Sequence, residues 1–384
     1  MLMRKSHKPA TRLLIHALPW HDARHRTTLS RPPGLAVMTF VSRSRRAVLG
    51  LAPAALLLAA MPSAQAADAA DQTLLNATYD VGRELFSEIN PLFVAKWQKE
   101  HGGQLKIDQS YGGTSRQAQD IIQGKKADTV TFNQVPDIEI LVKRRLVAKD
   151  WASQFPNNSS PYYSTIAFMV RKGNPKNIRN WDDLARPDVK LVFPNPKTSG
   201  NARYSYLGAW NHAQEQFPND EAAAKAFMGR FLGNVENFPT GGRGATVAFA
   251  QNGQGDVLLT FESEIKSILT GKEFKDQGFE LVVPPVSVMA AFPVAIVDKV
   301  VDAKGTREVA RAYLEFQYSK EIQQLLARHN LRVHDPEVVA ATADQFAKVR
   351  LVDPATFPGG WEGIQKTHFA SGGLLDQLLA AGRH

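Results

Sequence analysis

Cysteine is absent from all 384 residues. Disulfides, thiol nucleophiles and cysteine–zinc sites are therefore excluded, and apolar packing alone must hold the fold. Long apolar runs are scarce. The one candidate, Ala47 to Ala60, is broken by Gly50 and Pro53 and falls short of the roughly 20 residues that cross a bilayer. Internal repeats and low-complexity stretches are missing after residue 66, which argues against solenoids and disordered arrays. Acid is missing where the bases are concentrated. Residues 1–66 carry ten Lys and Arg against the single acid Asp22, and the rest of the chain has 36 of each sign. The formal charge of +9 thus belongs to one end, and a nucleic-acid partner loses its main support.

That end reads as a targeting segment. Residues 1–37 have no clear periodicity, and the spread His16, His21, His25 is taken as incidental rather than metal-binding. From Met38 a pattern emerges: a charged Ser42-Arg-Ser-Arg-Arg46, the apolar stretch, then Ala64-Gln65-Ala66 as an A-x-A cleavage signal. This predicts a secretory signal peptide with a mature start at Ala67. Ser44-Arg45-Arg46-Ala47-Val48-Leu49 also matches a twin-arginine signal.

The mature chain alternates strand and helix patterns. Leu74 to Tyr79 predicts a strand, and Asp80 opens a helix carrying Leu85, Phe86, Ile89, Phe93 and Trp97. A second strand is expected over Gln104 to Gln109. The turn Tyr111-Gly-Gly-Thr-Ser115 follows, with Thr114 and Gln117 spaced as a capping box. Thr129 to Phe132 predicts a third strand. This βαβαβ order predicts an α/β fold of two lobes, each a mostly parallel sheet flanked by helices. The polar, Pro-containing run Gln154 to Pro161 reads as a first crossover and Glu262-Ser-Glu264 as a second. The expected organisation is 1–66 removed, 74–153 with 262–318 as lobe 1, 154–261 as lobe 2, and 319–384 as a C-terminal segment on lobe 2.

Three turns that precede helices share one chemistry: Gly112-Gly113-Thr114-Ser115, Thr198-Ser199-Gly200-Asn201 and Thr240-Gly241-Gly242-Arg243-Gly244. A helix N-terminus leaves backbone N–H groups unpaired and carries partial positive charge. Glycine admits a close ligand, and hydroxyls add donors. One such turn commonly only caps its helix; Ser199, for instance, is placed to cap the helix it opens. Three of them, each after a strand, predict an anion seat at the carboxyl ends of the strands.

The residues also carry a resemblance. Leu74 to Asp80, Arg171-Lys-Gly-Asn-Pro-Lys176, Pro194-Asn-Pro-Lys-Thr-Ser-Gly-Asn-Ala-Arg203, Thr240 to Thr246, Gly255-Asp-Val-Leu258 and Thr367-His-Phe-Ala-Ser-Gly-Gly373 resemble the periplasmic sulfate- and thiosulfate-binding proteins of ABC importers. The resemblance spans nearly the whole mature chain. It implies a two-lobed (type II) periplasmic binding protein that closes over a dehydrated oxyanion. Its ligand contacts fall on Thr114, Ser199, Gly200, Asn201 and Gly242. Asp80, Asp137, Arg203 and Arg243 match charged positions behind the site. Where the sulfate branch has a Trp indole donor, this chain has Phe261. The run with Asn201, the Thr-Gly-Gly-Arg-Gly-Ala-Thr run and the end Leu375 to Arg383 are closer to the thiosulfate branch. The terminal sulfur of thiosulfate is larger than oxygen and a poorer acceptor, so an apolar wall at Phe261 favours it without excluding sulfate.

Sulfate and thiosulfate only accept hydrogen bonds near neutral pH, whereas phosphate keeps a proton. A site of donors alone predicts weak phosphate binding and affinity flat over roughly pH 6 to 8. Blander readings apply elsewhere. Tyr162-Tyr163 resembles the tyrosine pair of iron-binding relatives but lacks a His/Glu partner, so packing is expected. Trp97, Trp151, Trp181 and Trp210 are expected in the core. Glu262 and Glu264 look like paired hydrolase carboxylates, and a structural role is expected instead. Ser263-Glu-Ile-Lys266 with Lys197-Thr-Ser-Gly200 matches the penicillin-recognising pair only in reversed order. The reading is therefore an exported monomeric binding protein, not an enzyme. No catalytic residue, cofactor, metal or nucleic acid is expected, and the partners are thiosulfate or sulfate and a membrane ABC permease. The alternatives are another tetrahedral oxyanion, such as molybdate or phosphate, or a sensor module.

Overall fold

A computed structural model of the chain describes residues 71–381. The expected signal peptide, its cleavage site and His16, His21 and His25 lie outside the described residues.

The chain begins with β1 (Gln72–Thr78), a short 3-10 turn at Asp80–Gly82 and α1 (Arg83–His101). The apolar residues Leu85, Phe86, Ile89, Phe93 and Trp97 recur at helical spacing and are all buried. β2 (Leu105–Tyr111), α2 (Thr114–Ile122), β3 (Thr129–Thr131) and α3 (Val135–Lys143) follow. β1 lies between β2 and β3 and runs parallel to both. The register matters for the site. Thr78 stands opposite Tyr111 and Thr131, so three strands end level. The residues that come next, Asp80, Gly113-Thr114 and Asn133-Gln134, are thereby delivered to one edge.

After the crossover near Pro161, β4 (Tyr162–Val170) opens a second sheet. β5 (Leu191–Val192) leads to α4 (Gly200–Gln216) and α5 (Glu221–Gly233). β6 (Val235–Asn237) leads to α6 (Gly242–Thr246), which continues as a wider turn over Val247–Gln251. β7 (Val257–Phe261) runs straight into α7 (Glu262–Thr270). β5 pairs in parallel with both β6 and β7. Their carboxyl ends deliver the Ser199 turn, the Gly241 turn and Phe261 to a common edge, as the first sheet does with its own turns.

The expected return to the first lobe after Phe261 does not occur. β8 (Glu280–Val282) and β9 (Val286–Ala291) both pair antiparallel with β4 in the second sheet. The polar Glu262-Ser-Glu264 is the first turn of α7, with acids favourably placed at a helix N-terminus, rather than a linker. The chain returns at Phe292-Pro293, and β10 (Val294–Ile296) pairs antiparallel with β3. α8 (Asp298–Lys304) and α9 (Arg307–Phe316) follow. Buried Asp128 ties this return to the first sheet, accepting from Leu75 N–H at 2.7 Å and from the Thr306 hydroxyl at 2.5 Å.

The chain then crosses again. After α10 (Lys320–Arg328), β11 (Arg332–Val333) pairs with β4 and β12 (Arg350–Val352) pairs with β9. The last helix is α11 (Leu374–Ala381). Trp97, Trp151 and Trp181 are buried as expected, and Trp210 is partly buried. No helix among the described residues is long and apolar enough to cross a membrane.

The segment before α11 packs onto α4. His368 is buried against the rings of Tyr206, Trp210 and Phe369, and its Nδ1 lies 3.0 Å from the Tyr206 hydroxyl. Burial lowers its pKa from 6.5 to about 4. The unfolded chain therefore binds a proton that the folded chain refuses as pH falls below 6.5. The expected cost is about 2 kcal/mol of stability by pH 5. Urea unfolding at the two pH values checks it; a His368→Gln variant should lose most of that difference.

Candidate functional site

The three helix starts expected from the sequence meet at one place. Those of α4 and α6 stand side by side: Asn195 N–H donates to Pro239 C=O at 2.7 Å, and the Thr198 hydroxyl to Thr240 C=O at 2.8 Å. The first sheet supplies the third. A methyl group on Gly113 would lie 2.9 Å from the carbonyl oxygen of Thr198, and one on Gly200 would collide with Asn133 and Gln134. One on Gly241 would lie 2.6 Å from Asp80 Oδ2. Glycine at these positions is what lets the carboxyl edges of the two sheets face each other this closely. Thr114, Ser199, Gly200, Asn201 and Gly242 are thus brought together, all of them buried.

Two expected caps do not form. Thr114 is the first helical residue and Gly113 the cap, so the Thr114–Gln117 box is absent. Gln117 instead donates to Thr78 C=O and Ser110 C=O. Its geometry serves the end of the sheet and not the helix. The Ser199 side chain makes no capping bond either. Backbone N–H groups at the α4 start thus stay available to a ligand.

The charged residues stand behind this surface. The Thr114 hydroxyl lies 2.6 Å from Asp137 Oδ2 and 2.8 Å from Asn133 Oδ1. Gln134 also donates to Asp137, and its own oxygen accepts from Arg203 of the second sheet at 3.3 Å. Arg203 donates to Pro196 C=O at 2.9 Å, bracing the turn before α4, and lies over the Phe369 ring. The Asp80 carboxylate stands against the α6 start, beside Gly241. Burial holds its pKa above the usual carboxylate range, opposed in part by the backbone N–H groups of Arg243, Asp80 and Val81 and by the Arg243 charge. The Arg243 side chain is exposed, 4.0 Å from Glu84.

Phe261 ends β7, next to Thr260, which accepts from Asn201. It is 1% exposed, with its ring 5.2 Å from Phe292 and 6.3 Å from Tyr204. It lines a cavity of about 460 Å³ with Tyr79, Val81, Arg243, Thr246 and Glu264.

Glu264 was missed as a site residue. Its carboxyl is half-buried, accepts from Thr260 and, at 2.9 Å, from Thr246, and lies 3.5 Å from the Asn201 amide. Burial pushes its pKa up to about 7, with Asp80 adding to the shift and the threonine bonds and Arg243 opposing it. The sequence signal was available only as the pair Glu262 and Glu264, and the pair diverges. Glu262 faces Arg332, whose Nε and second guanidinium nitrogen lie 2.8 and 3.2 Å away. The penicillin-recognition pattern has no support. Lys266 is engaged by Glu262 and Gln345 C=O, and Lys197 by Asp376 and Phe369 C=O. Tyr162 is core, its hydroxyl 3.0 Å from that of Tyr79, and Tyr163 packs on His334.

Residues 74–332 match the family model described as bacterial extracellular solute-binding protein. The thiosulfate-binding protein of Escherichia coli K12 is 53% identical over 313 residues, covering 81% of this chain and 92% of that one. The sulfate-binding protein of the same organism is 43% identical over 310 residues, covering 81% and 94%. Among solved structures, the sulfate-binding protein SubI from Mycobacterium tuberculosis H37Rv superimposes with a TM-score of 0.69 at 33% identity, covering 78% of this chain and 99% of that one. Family model and relatives agree: the chain belongs to the bacterial extracellular solute-binding proteins, in the sulfate- and thiosulfate-binding family.

Proposed function

We propose that this chain captures thiosulfate or sulfate and delivers it to an ABC permease, as a binding component without catalytic activity. The observation that carries this reading is the meeting of three helix N-termini from two sheets, held close by the absence of a side chain at Gly113, Gly200 and Gly241. Such a surface offers hydrogen-bond donors to an anion that has been stripped of water. The ligand contacts are Thr114, Ser199, Gly200, Asn201 and Gly242, with Phe261 as an apolar wall. Asp137 anchors the Thr114 side chain, Arg203 braces the turn before α4, and Asp80 stands against the third turn. The chain acts in the periplasm after removal of its leader, as a monomer.

Isothermal titration of the mature chain, from Ala67, with thiosulfate and sulfate tests the reading. Saturable one-to-one binding of both, thiosulfate at least as tight, supports it; a folded protein that binds neither overturns it. A phosphate arm belongs in the same experiment, and binding at least about tenfold weaker is expected for an anion that must bury an unpaired O–H.

Phe261 bears on which anion is preferred. Phe261→Trp should shift the sulfate-to-thiosulfate affinity ratio toward sulfate by about tenfold, the worth of one added hydrogen bond to a charged group. An unchanged ratio in parallel titrations would remove the specificity role of this position.

A further inference from the structure

Asn201 is the second residue of α4, 2% exposed, and its side-chain amide is only half satisfied. The nitrogen donates to Thr260 Oγ1 at 2.6 Å and lies 3.5 Å from Glu264 Oε2. The oxygen Oδ1 is buried with no partner. An orphan acceptor is out of place in the first turn of a helix that meets two other helix starts, because the anion such a surface attracts brings no hydrogen to it.

The two ends of an amide have nearly the same shape, and hydrogen bonding decides between them. Turning the Asn201 amide by half a revolution costs no space. The nitrogen then takes the orphan position, where it can donate to a bound anion. The oxygen faces Thr260 and must accept. The Thr260 hydroxyl has one hydrogen, and once Asn201 receives it, the close contact between Thr260 and Glu264 needs a hydrogen from the acid. The series then runs from the Glu264 O–H to Thr260 Oγ1, from the Thr260 O–H to Asn201 Oδ1, and from Asn201 Nδ2–H to the anion. One proton moves from solvent to Glu264, and no other bond changes.

Resting on the anion-capture reading, we propose that the Asn201 side-chain amide, held in the turned orientation by protonated Glu264 through Thr260, donates to the ligand in place of the donor that Phe261 lacks. Capture of the anion then brings a proton onto Glu264.

The surroundings of Glu264 favour this. Its carboxyl already sits near the neutral range through burial, and Asp80 across the cleft pushes it further in the same direction. Arg243 opposes but is exposed. On its own helix, Glu262 and Lys266 are engaged with each other and with Arg332. Glu273, Lys272 and His329 line the same cavity, and His329 lies 2.9 Å from Glu88. A dianion bound nearby adds repulsion to the ionised form. The acid is therefore more protonated in the complex than in the free protein, and affinity falls as pH rises through its free value. This replaces the flat pH response expected of a site of donors alone.

The test is titration of the mature chain with thiosulfate at pH 6, 7 and 8, each in two buffers of different ionisation heat. Proton uptake near zero at pH 6 and approaching one at pH 8 is expected, with affinity falling about fivefold from pH 7 to 8. Glu264→Gln should bind with an affinity that no longer changes with pH and should take up no proton, which separates Glu264 from Asp80 as the acceptor. Asn201→Ala should bind about tenfold more weakly. Tight binding with no proton uptake at pH 8, or an Asn201→Ala affinity equal to that of the unmodified chain, overturns the proposal and leaves anion capture standing. Absence of binding at every pH removes both.

Discussion

Replacing Gly113 by alanine should weaken thiosulfate binding about 100-fold and leave the melting temperature of the ligand-free protein unchanged. Gly113 has φ −56° and ψ 130°, which alanine adopts freely, so no backbone strain arises locally. The added methyl would lie 2.9 Å from the carbonyl oxygen of Thr198. That oxygen is main chain, fixed by the turn in which Asn195 C=O accepts both Thr198 N–H and Ser199 N–H at 3.0 Å. It cannot step aside as a flexible side chain would. Gly113 follows β2 in the first sheet and Thr198 follows β5 in the second. The conflict exists only when the two edges meet as they do here, which on the proposed capture reading is the anion-bound form. Overpacking of this kind costs about 1–3 kcal/mol, and the upper end corresponds to the loss predicted. Titration calorimetry gives the affinity and differential scanning calorimetry the ligand-free stability. Full affinity in the variant would mean that ligand is held with the edges further apart than here.

Arg332→Met should lower stability by about 3–5 kcal/mol, because it leaves a buried carboxylate without its partner. Glu262 is 0% exposed and is gripped by two guanidinium nitrogens. Arg332 also donates to Ala347 C=O at 2.9 Å and lies over the Phe346 ring. Lys266 at 3.7 Å from Glu262 compensates only in part. The melting temperature should fall by roughly 10 °C for a chain of this size. Adding Glu262→Gln should restore more than half of the loss, since the cost lies in the unpaired charge and not in the missing contact. A double variant no more stable than the single one would assign the effect to packing around Phe346 instead.

The first sheet was legible almost residue by residue. Leu74, Ile107 and Val130 alternate or run as strand residues do, and glycines mark the turns between them. The three glycine-containing turns before helices were legible for the same reason, since they depend on local backbone chemistry. The errors arose where structure depends on distant partners. Glu262-Ser-Glu264 looks like a linker in one dimension. It becomes a helix start because α7 packs against β4, and β8 and β9 find that same strand more than a hundred residues after it. Gln117 sits at capping-box spacing, but Thr78 and Ser110 offer its amide better-placed carbonyls. The burial of Glu264 was invisible because Thr246 and Thr260, which accommodate it, carry no signal until the turn of α6 and the end of β7 are folded together.

β4 has a consequence for the order in which the molecule assembles. Every one of its partners lies later in the chain: Ile166 pairs with Phe261, Phe168 with Val282, Thr165 with Met289 and Tyr163 with Arg332. The first sheet's three parallel strands can find one another within the first sixty or so described residues. In the second sheet β5, β6 and β7 can pair within residues 191–261, but its central strand β4 waits with both hydrogen-bonding edges bare until Val257 and beyond arrive. Non-local pairing of this kind slows folding, and an apolar strand kept waiting is a place where chains associate wrongly. Substitutions that make β4 more apolar should therefore reduce the yield of refolded protein even where they leave the finished molecule as stable as before.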